Sequence, residues 1–404
     1  MKRSGILRQL NAVVKNIQLE GQSRRVSAEY RRKLTAHGTS AAKDVRLLIS
    51  TRMASAGVTG LEGLSRRPRI FLVGTDYEQE RAGFIQALER AGSVVPLRTS
   101  SGRYGLKPPA HPGDLDTIRE NSRQIIEQVA AERLNGPLDV LIGTMVAQSL
   151  SIEALQHVRR LGIPVLNMAM DDRLVEHWGW RGSTRVGSIG LAPAVDLVLQ
   201  TTREYVPRYL VDGHPAVYWP FWSDPMLFRP GGVKRYDVCF VGNNYGWRGA
   251  LLRQIAAAGI CVECFGSGFP NGHINADSVA KVFAESRIIL GIGTIAHSRH
   301  IVTLKLRDFD GPMSGALYLT TANPDLQDSY VIGKEIEVYR SPQDCIRLLR
   351  YYLANASERE AIASAGRARA ARDHTWDQRI AQALELIGLP ENVAVTKFSQ
   401  ARHP

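Results

Sequence analysis

The sequence from residue 305 to residue 320 reads Lys305-Leu-Arg-Asp-Phe-Asp310-Gly-Pro-Met-Ser-Gly315-Ala-Leu-Tyr-Leu-Thr320. This pattern predicts a helix over 303–313, a glycine turn and a buried strand at 317–320. Outward from this stretch, apolar runs and helical patterns alternate, which predicts a parallel α/β domain. The other predicted strands of this half are 236–242, 262–266, 288–291 and 337–339, and the other helices are 246–258, 277–285, 342–354 and 357–371.

The first half of the chain shows the same alternation. Its first predicted strand, 69–76, ends in a glycine turn, as expected for a buried parallel strand. A segment rich in Trp and Pro, 217–222, then breaks the rhythm, and we interpret it as an interdomain linker. The predicted strands are 69–76, 94–97, 139–143, 164–168 and 197–201, and the helices are 82–91, 114–134 and 152–161.

These patterns predict an α/β protein of two Rossmann-like domains that face each other across a cleft, with a basic helical N-terminal extension. The length of 404 residues is sufficient for such a layout. The predicted segments are an extension and linker at 1–67, an N-terminal domain at 68–202, a linker at 203–235, a C-terminal domain at 236–373, and a helix crossing back with a tail at 374–404.

The net charge of +12 is concentrated at the N-terminus, because residues 1–67 hold 14 Lys/Arg and only 4 Asp/Glu. Apolar residues at helical spacing predict an amphipathic basic helix there, with further helices at 30–34 and 41–53. Such a segment can contact an anionic membrane surface, pack on the body of the protein, or pair with another copy. Nucleic acid is disfavoured, because the segment has few aromatics and no known module. The apolar positions are Ile6, Leu10, Val13, Val14 and Ile17.

The composition indicates a cytoplasmic protein, with peripheral attachment to the inner membrane as an option for the extension. No apolar run reaches the length of a membrane span, and no signal peptide is recognised.

The four cysteines are too few for a disulfide scaffold. A single pair, Cys261-x-x-Cys264, is weak evidence for zinc, and we predict that it lies in a buried strand.

Three predicted strand ends in the second half are polar and rich in glycine. Small residues allow a backbone to approach a phosphate, and Arg or Lys can neutralise its charge. We therefore expect Arg248, Lys305 and Arg307 to hold a diphosphate, and Asp310 to accept hydrogen bonds from ribose hydroxyls. The candidate nucleotide-binding residues are Gly242, Asn243, Arg248, Gly266, Ser267, Thr294, Lys305, Arg307 and Asp310.

In the first half, polar residues follow the first and fourth predicted strands. Asp76, Asp171, Asp172 and His177 are candidates for a general base that takes a proton from a reacting hydroxyl group. Each also suits a helix N-cap or a polar loop. Adjacent Asp171 and Asp172 suggest a metal site as well, but no third ligand follows at an obvious spacing.

The second half also carries an ordered series of motifs that resembles the C-terminal domain of GT-B-fold glycosyltransferases, in particular the bacterial spore-maturation (CgeB-type) family. The resemblance implies that the C-terminal domain holds a nucleotide-diphosphate-sugar, that the N-terminal domain holds the acceptor, and that no metal is required. The family has Glu where this chain has Asp310, and Val302 replaces a second Glu of related retaining enzymes. The matching positions are Lys305, Arg307, Phe309, Asp310, Gly333, Glu335, 351–353, 365–367, His374, Thr375 and Arg379.

The expected function is that of a metal-independent, hexosyltransferase-like enzyme of cell-envelope or surface-glycan assembly. Its donor is a nucleotide-sugar used as substrate rather than as cofactor, and its acceptor is a glycan, a lipid-linked molecule or a protein. Two alternatives stay open: a nucleotide-sugar or glycan-binding partner without catalysis, and a nucleotide-sugar epimerase of the same architecture. A dinucleotide oxidoreductase is disfavoured, because no Gly-x-Gly-x-x-Gly follows the first strand.

Overall fold

A computed structural model of the chain describes residues 2–37, 44–75, 78–111, 113–170, 172–174, 178–181, 184–295, 298 and 300–390. The chain divides into two compact units. The N-terminal unit comprises Gly21–Glu80, Ile85–Pro220 and Arg379–Pro404. The C-terminal unit comprises Met1–Glu20, Arg81–Phe84 and Phe221–Gln378.

The N-terminal unit is built on a six-stranded parallel sheet with the order β2-β1-β3-β4-β7-β8. Strands β3, β4 and β7 are buried along their whole length, which explains their continuous apolar sequences. A two-stranded antiparallel ribbon, β5-β6, is separate from this sheet. The strands are β1 Arg69–Val73, β2 Ser93–Pro96, β3 Val140–Gly143, β4 Val165–Ala169, β5 Trp180–Arg181, β6 Thr184–Arg185, β7 Leu197–Gln200 and β8 Ala216–Tyr218.

The C-terminal unit is built on a five-stranded parallel sheet with the order β10-β9-β11-β12-β13. Two parallel α/β sheets and a helical N-terminal region confirm the predicted fold class. The strands are β9 Tyr236–Val241, β10 Glu263–Phe265, β11 Ser286–Leu290, β12 Leu317–Thr321 and β13 Glu337–Tyr339. The helices are α1 Lys2–His37, α2 Val45–Ser55, α3 Glu78–Arg81, α4 Phe84–Ala91, α5 Leu115–Leu134, α6 Ile152–Arg160, α7 Val206–Val211, α8 Arg248–Ala257, α9 Ala276–Ala284, α10 Arg307–Met313, α11 Pro342–Ala354, α12 Ala356–Asp373 and α13 Trp376–Leu386.

The sixth strand, β8, lies within the segment predicted as a linker. It pairs in parallel with β7, so the chain from Ala216 to Tyr218 belongs to the sheet of the N-terminal unit. A three-residue strand beside Trp and Pro has no periodicity of its own, and only its pairing with β7 reveals it. The predicted boundaries of the linker, 203–235, are otherwise not tested by the fold.

The N-terminal extension folds as one long helix, α1, where two separate helices were expected. In the N-terminal unit, Tyr30 is 1% exposed and its hydroxyl donates to Asp212 Oδ2 at 2.6 Å. This part of α1 therefore packs on the N-terminal unit, while the three alternatives for the apolar stripe at 6–17 stay predictions. The predicted apolar stripe at 6–17 lies largely outside the described side chains, and Val14 within it is 50% exposed.

Among the described helices, none combines the length and the hydrophobicity that a membrane-spanning segment requires.

The four cysteines are free thiols, and Cys239 and Cys345 are buried. The prediction of a buried strand for the Cys261–Cys264 pair is wrong, because Cys261 is exposed and Cys264, within β10, is only half-buried. The reason is that β10 begins at Glu263 and lies at the edge of its sheet, so Cys261 precedes it.

Candidate functional site

Two loops meet at the carboxyl end of the C-terminal sheet. The amide of Gly242, just after β9, donates to the carbonyl of Phe265 at 2.8 Å, and the amide of Ser267 donates to Asn243 Oδ1 at 3.2 Å. A Cβ atom at Gly266 would lie 2.4 Å from the carbonyl oxygen of Gly242, so only glycine permits this approach. The fold thus brings four predicted nucleotide-binding residues together.

Two of the predicted basic residues converge on the same loop. Arg248 opens α8, and its Nη1 donates to the carbonyl of Asn243 at 2.9 Å. Arg307 opens α10, and it donates to the carbonyls of Val241 at 2.8 Å and Ile292 at 3.2 Å. A Cβ atom at Gly242 would lie 2.8 Å from Arg307 Nη1 and 3.4 Å from Arg248 Nη1. Both guanidinium groups therefore lie against the backbone of Gly242, where a side chain would collide with Arg307.

The two guanidinium groups form a strongly electropositive centre. Arg248 is only 3% exposed, and within the described chain neither Arg248 nor Arg307 forms an ion pair with a carboxylate. Burial, and then the charge of Arg307, lower the pKa of Arg248 to about 10. The Nε atoms of both residues are buried without a hydrogen-bond partner among the described residues. Desolvated cations that lack an acidic partner are suited to binding an anion.

A third loop is held by a chain of hydroxyl groups. Tyr339, at the end of β13, donates to the carbonyl of Gly291 at 2.8 Å and accepts from Thr321 Oγ1 at 2.9 Å. Thr321 in turn accepts from the amide of Gly293 at 3.2 Å. Thr294, a predicted nucleotide-binding residue, is buried here and forms a bridge with Val302. Sequence reasoning missed Tyr339, because a lone Tyr at a strand end has no distinctive local signal.

The loop that carries Lys305 is fastened by Asp308. The amide of Lys305 donates to Asp308 Oδ2 at 2.5 Å, and the hydroxyl of Tyr318 donates to Asp308 Oδ1 at 2.6 Å. Lys305 itself is half-buried. Asp308 was not among the predicted site residues, and its position three residues after Lys305 is the signal that could have indicated this role.

Asp310 lies inside the unit rather than on the loop surface. Its side chain is 3% exposed and lies beside Ser223. Burial raises the pKa of Asp310 well above its usual range, although the Ser223 hydroxyl acts in the opposite direction. Burial therefore favours the neutral form of this carboxyl more than it would be favoured in an exposed Asp. The predicted contact with ribose stays a prediction.

Several other motif residues have structural contacts. His374 packs edge-on against Phe309 and Tyr330, and its Nε2 lies 2.8 Å from the carbonyl oxygen of Ser329. Gly366 of α12 lies so close to Glu335 that a Cβ atom would be 2.1 Å from its carbonyl oxygen. These motif positions hold helices against the sheet. The motif series that resembles the glycosyltransferase family therefore includes positions used for packing as well as candidates for ligand contacts.

Of the four candidate bases, Asp76, Asp171 and His177 lie outside the described residues. Asp172 is fully buried, and its Oδ2 accepts hydrogen bonds from Gln200 Nε2 and from the Tyr209 hydroxyl, both at 2.6 Å. In this arrangement Asp172 connects the end of β7 to α7. A general base has to reach an acceptor hydroxyl, and this enclosure is better suited to a structural role.

A carboxylate that sequence reasoning missed, Glu80, lies at the carboxyl ends of β1 and β3. It accepts hydrogen bonds from the amide and hydroxyl of Thr75, from Thr144 Oγ1 at 2.7 Å and from the Tyr104 hydroxyl at 3.2 Å. Glu80 is buried. Its position in a Glu-rich helical turn predicts a solvated charge, and only the tertiary fold brings these donors around it.

No cluster of three or more His, Cys, Asp or Glu side chains suited to a metal ion occurs in the described part of the chain.

A model of the family described as Glycosyl transferase-like matches residues 248–385, which include Arg248, Arg307 and Asp310. The match begins at the first residue of α8 and ends in α13. No curated protein matches the sequence.

Solved glycosyltransferases share the fold at low sequence identity. Sucrose-phosphate synthase from Thermosynechococcus elongatus has a TM-score of 0.55 at 12% identity, over 79% of this chain and 98% of that protein. A glycosyltransferase from Rickettsia africae ESF-5 has a TM-score of 0.54 at 11% identity, over 82% and 100%. Anabaena HepE in complex with UDP-glucose has a TM-score of 0.53 at 12% identity, over 79% and 99%. The chain therefore has the GT-B glycosyltransferase fold, and its residues 248–385 match the glycosyl transferase-like family.

Proposed function

We propose that the protein transfers a hexose-type sugar from a nucleotide-diphosphate-sugar to an acceptor in cell-envelope or surface-glycan assembly, as a CgeB-type enzyme. The observation that carries the proposal is the convergence of Arg248 and Arg307 on the backbone of Gly242. The two positive charges of these guanidinium groups match the charge of a diphosphate. HepE, which shares the fold, has been solved with UDP-glucose bound.

The chemistry follows from that charge. When the bond between the anomeric carbon and the diphosphate breaks, negative charge grows on the leaving oxygen. Arg248 and Arg307 stabilise this charge more strongly as it develops, so that they lower the barrier rather than merely bind the donor. Gly242, Asn243, Gly266 and Ser267 would provide the surface for the nucleoside, and Thr294 and Lys305 would complete the phosphate contacts.

The acceptor belongs, in this proposal, to the N-terminal unit. Its hydroxyl oxygen forms the new bond to the sugar and releases a proton to a base. Asp76, Asp171 and His177 are the preferred candidates for this base. Asp172 is not preferred, because its Oδ2 already accepts hydrogen bonds from Gln200 Nε2 and the Tyr209 hydroxyl. The kind of acceptor, whether a glycan, a lipid-linked molecule or a protein, stays a prediction, as does catalysis without a metal.

The experiment is a titration of UDP, ADP and GDP and of their hexose derivatives, by thermal shift and calorimetry. Loss of one charged hydrogen bond costs about 1.5–3 kcal/mol, so Arg248→Ala and Arg307→Ala should each weaken the preferred nucleotide about 10- to 100-fold. Arg347→Ala is the matched control, since Arg347 lies on the exposed face of α11 in the same unit. Equal affinity in all four proteins would refute the proposed site.

A non-catalytic nucleotide-sugar-binding partner is the second candidate. It is favoured by Val302, where related retaining enzymes have a carboxylate, and by the burial of Asp310. Turnover of the donor separates these two candidates from each other and from the epimerase alternative. A transferase releases nucleoside diphosphate faster with an acceptor, an epimerase converts the donor without one, and a binding partner does neither. Repeating the assay in EDTA tests the predicted independence from metals.

The predicted cytoplasmic location and the role of the extension stay part of the proposal. The part of α1 that packs through Tyr30 is anchored in the N-terminal unit. The remaining basic part could contact an anionic membrane surface or a second copy. Sedimentation with anionic and with neutral vesicles, together with the molar mass in solution, distinguishes these partners.

A further inference from the structure

The N-terminal unit contains a pocket of about 540 Å³ between α1 and the region of the β5-β6 ribbon. Its polar and aromatic lining comes from distant parts of the sequence, and neither Asp172 nor Glu80 takes part in it. The nucleotide-binding candidates all belong to the other unit. The charged and aromatic side chains of the lining are those of Glu29, Lys33, Trp180, Arg185, Asp212 and His214.

The charges around this pocket balance one another. Lys33 Nζ lies 2.8 Å from Asp212 Oδ1 and 3.4 Å from Glu29 Oε1. Arg185 Nη2 lies 2.9 Å from the same oxygen of Glu29. Two cations thus face two carboxylates in one network. An anion or a cation entering the pocket would have to compete with these pairs, whereas a neutral polar molecule would find both donors and acceptors.

One wall of the pocket is an exposed aromatic ring. Trp180 is 61% exposed, although large aromatic side chains usually bury most of their surface. The guanidinium carbon of Arg185 lies 4.3 Å from the centroid of its ring, which holds the indole in place through a cation–π contact. The exposed part of the indole is a flat apolar surface beside a polar network.

His214 adds a neutral ring to the lining of the pocket. Its Nδ1 is buried and is not accessible from the pocket. Burial, and then the cation of Arg52, lower the pKa of His214 to about 4, so that its imidazole is neutral at pH 7. His214 therefore leaves the balance of charge around the pocket unchanged.

From this arrangement we propose that the pocket binds a neutral saccharide. A sugar ring presents C–H groups on one face, which can stack on Trp180, and hydroxyl groups at its edge, which can bond to the charged side chains of Glu29 and Asp212. An apolar ligand would strip water from four charged groups, which is costly. The volume is in the usual range of small-molecule sites. This site is distinct from the donor site and does not depend on turnover.

The test uses the full-length protein and a panel of neutral gluco-, manno-, galacto- and chito-oligosaccharides, followed by calorimetry and by tryptophan fluorescence. We expect at least one series to bind. Trp180→Ala should weaken this binding at least tenfold, and Trp180→Phe should retain part of it, since a smaller ring still offers an apolar face. Tyr351→Ala is the matched control, because Tyr351 is an exposed aromatic residue of the other unit.

Three results would overturn the proposal. The first is the absence of binding by every neutral oligosaccharide at millimolar concentration. The second is binding that Trp180→Ala leaves unchanged, and the third is preferential binding of sulfated or uronic-acid oligosaccharides. The thermal shift caused by the preferred nucleoside diphosphate should be the same in Trp180→Ala and in the unmodified protein. This result shows that the variant is folded and that ligand binding at the donor site is independent of the pocket at Trp180.

Discussion

Arg248 and Arg307 place their guanidinium groups against the same aromatic ring, with their Cζ atoms 5.7 Å and 5.2 Å from the centroid of Phe240. Both are tethered by backbone carbonyls, Arg248 by that of Asn243 and Arg307 by that of Val241. Their mutual repulsion is therefore built into the folded protein before any ligand arrives. An anion between them relieves it, which connects affinity for the ligand to the stability of the free protein.

The first prediction concerns Arg248→Met. Because burial and Arg307 lower the pKa of Arg248 to about 10, the charged form is disfavoured by up to about 3 kcal/mol. An apolar side chain of similar length should keep the contact with Phe240, so the melting temperature of the free protein should stay level or rise. The affinity for nucleoside diphosphate should fall at least tenfold. Calorimetric melting and titration measure both, and a lower melting temperature with unchanged affinity would contradict the assignment.

The second prediction concerns the pH dependence of Asp310. Since burial raises its pKa, the folded protein keeps this proton where the unfolded chain has lost it. The stabilisation is complete below the unfolded pKa of about 3.9 and declines as the pH rises toward the folded pKa. Asp310→Asn should therefore gain stability relative to the unmodified protein as the pH rises above about 3.9, as measured by urea unfolding.

Asp308→Asn is the comparison for that experiment, because burial also raises the pKa of Asp308 but each of its carboxylate oxygens accepts a hydrogen bond. An amide group keeps only one accepting oxygen for the Lys305 amide and the Tyr318 hydroxyl, so this variant should lose about 1–3 kcal/mol. A relative stability of Asp310→Asn that does not rise with pH would contradict the raised pKa of this buried carboxyl. A parallel loss of nucleotide affinity in Asp310→Asn would support the predicted ribose contact, and unchanged affinity would leave Asp310 with a structural role.

The third prediction compares two helical glycines. A Cβ atom at Gly366 would overlap the carbonyl oxygen of Glu335, whereas one at Gly21 of α1 would meet no atom within 4 Å. Gly366→Ala should destabilise the protein by about 1–3 kcal/mol through overpacking. Gly21→Ala should stabilise it by about 0.5–1 kcal/mol, because alanine restricts the unfolded chain and favours a helix. Thermal unfolding of both variants checks the difference, and equal effects would refute the close packing of α12.

The fourth prediction concerns Glu80→Gln. The Thr75 amide can only donate, and three hydroxyl groups also surround the carboxylate, so an amide group at this position leaves a donor unsatisfied. We expect a loss of about 1–3 kcal/mol. Glu127→Gln, on the exposed face of α5, should change stability by less than about 0.5 kcal/mol. A neutral effect of Glu80→Gln would show that the network contributes little.

Much of the fold was predictable because its signals are local. The buried runs at β1, β3, β9 and β11 could be read from apolar sequence alone, and the glycines after them indicated tight turns. The strand β8 was missed, since three residues beside Trp and Pro show no period. The helix α1 was predicted in pieces, because the contact of Tyr30 with Asp212 involves residues far apart in sequence.

The sequence alone thus determined the succession of strands and helices, the glycine loops at the strand ends and the supply of basic residues near them, because each depends on neighbouring residues. The tertiary structure decided which of these residues meet. It joins Arg248 to Arg307 at Gly242, buries Asp310 beside Ser223 and surrounds Glu80 with four donors. Such contacts depend on how the strands are ordered in the sheet, and the burial of a charged group depends on which elements pack against it. A local sequence pattern specifies neither of these.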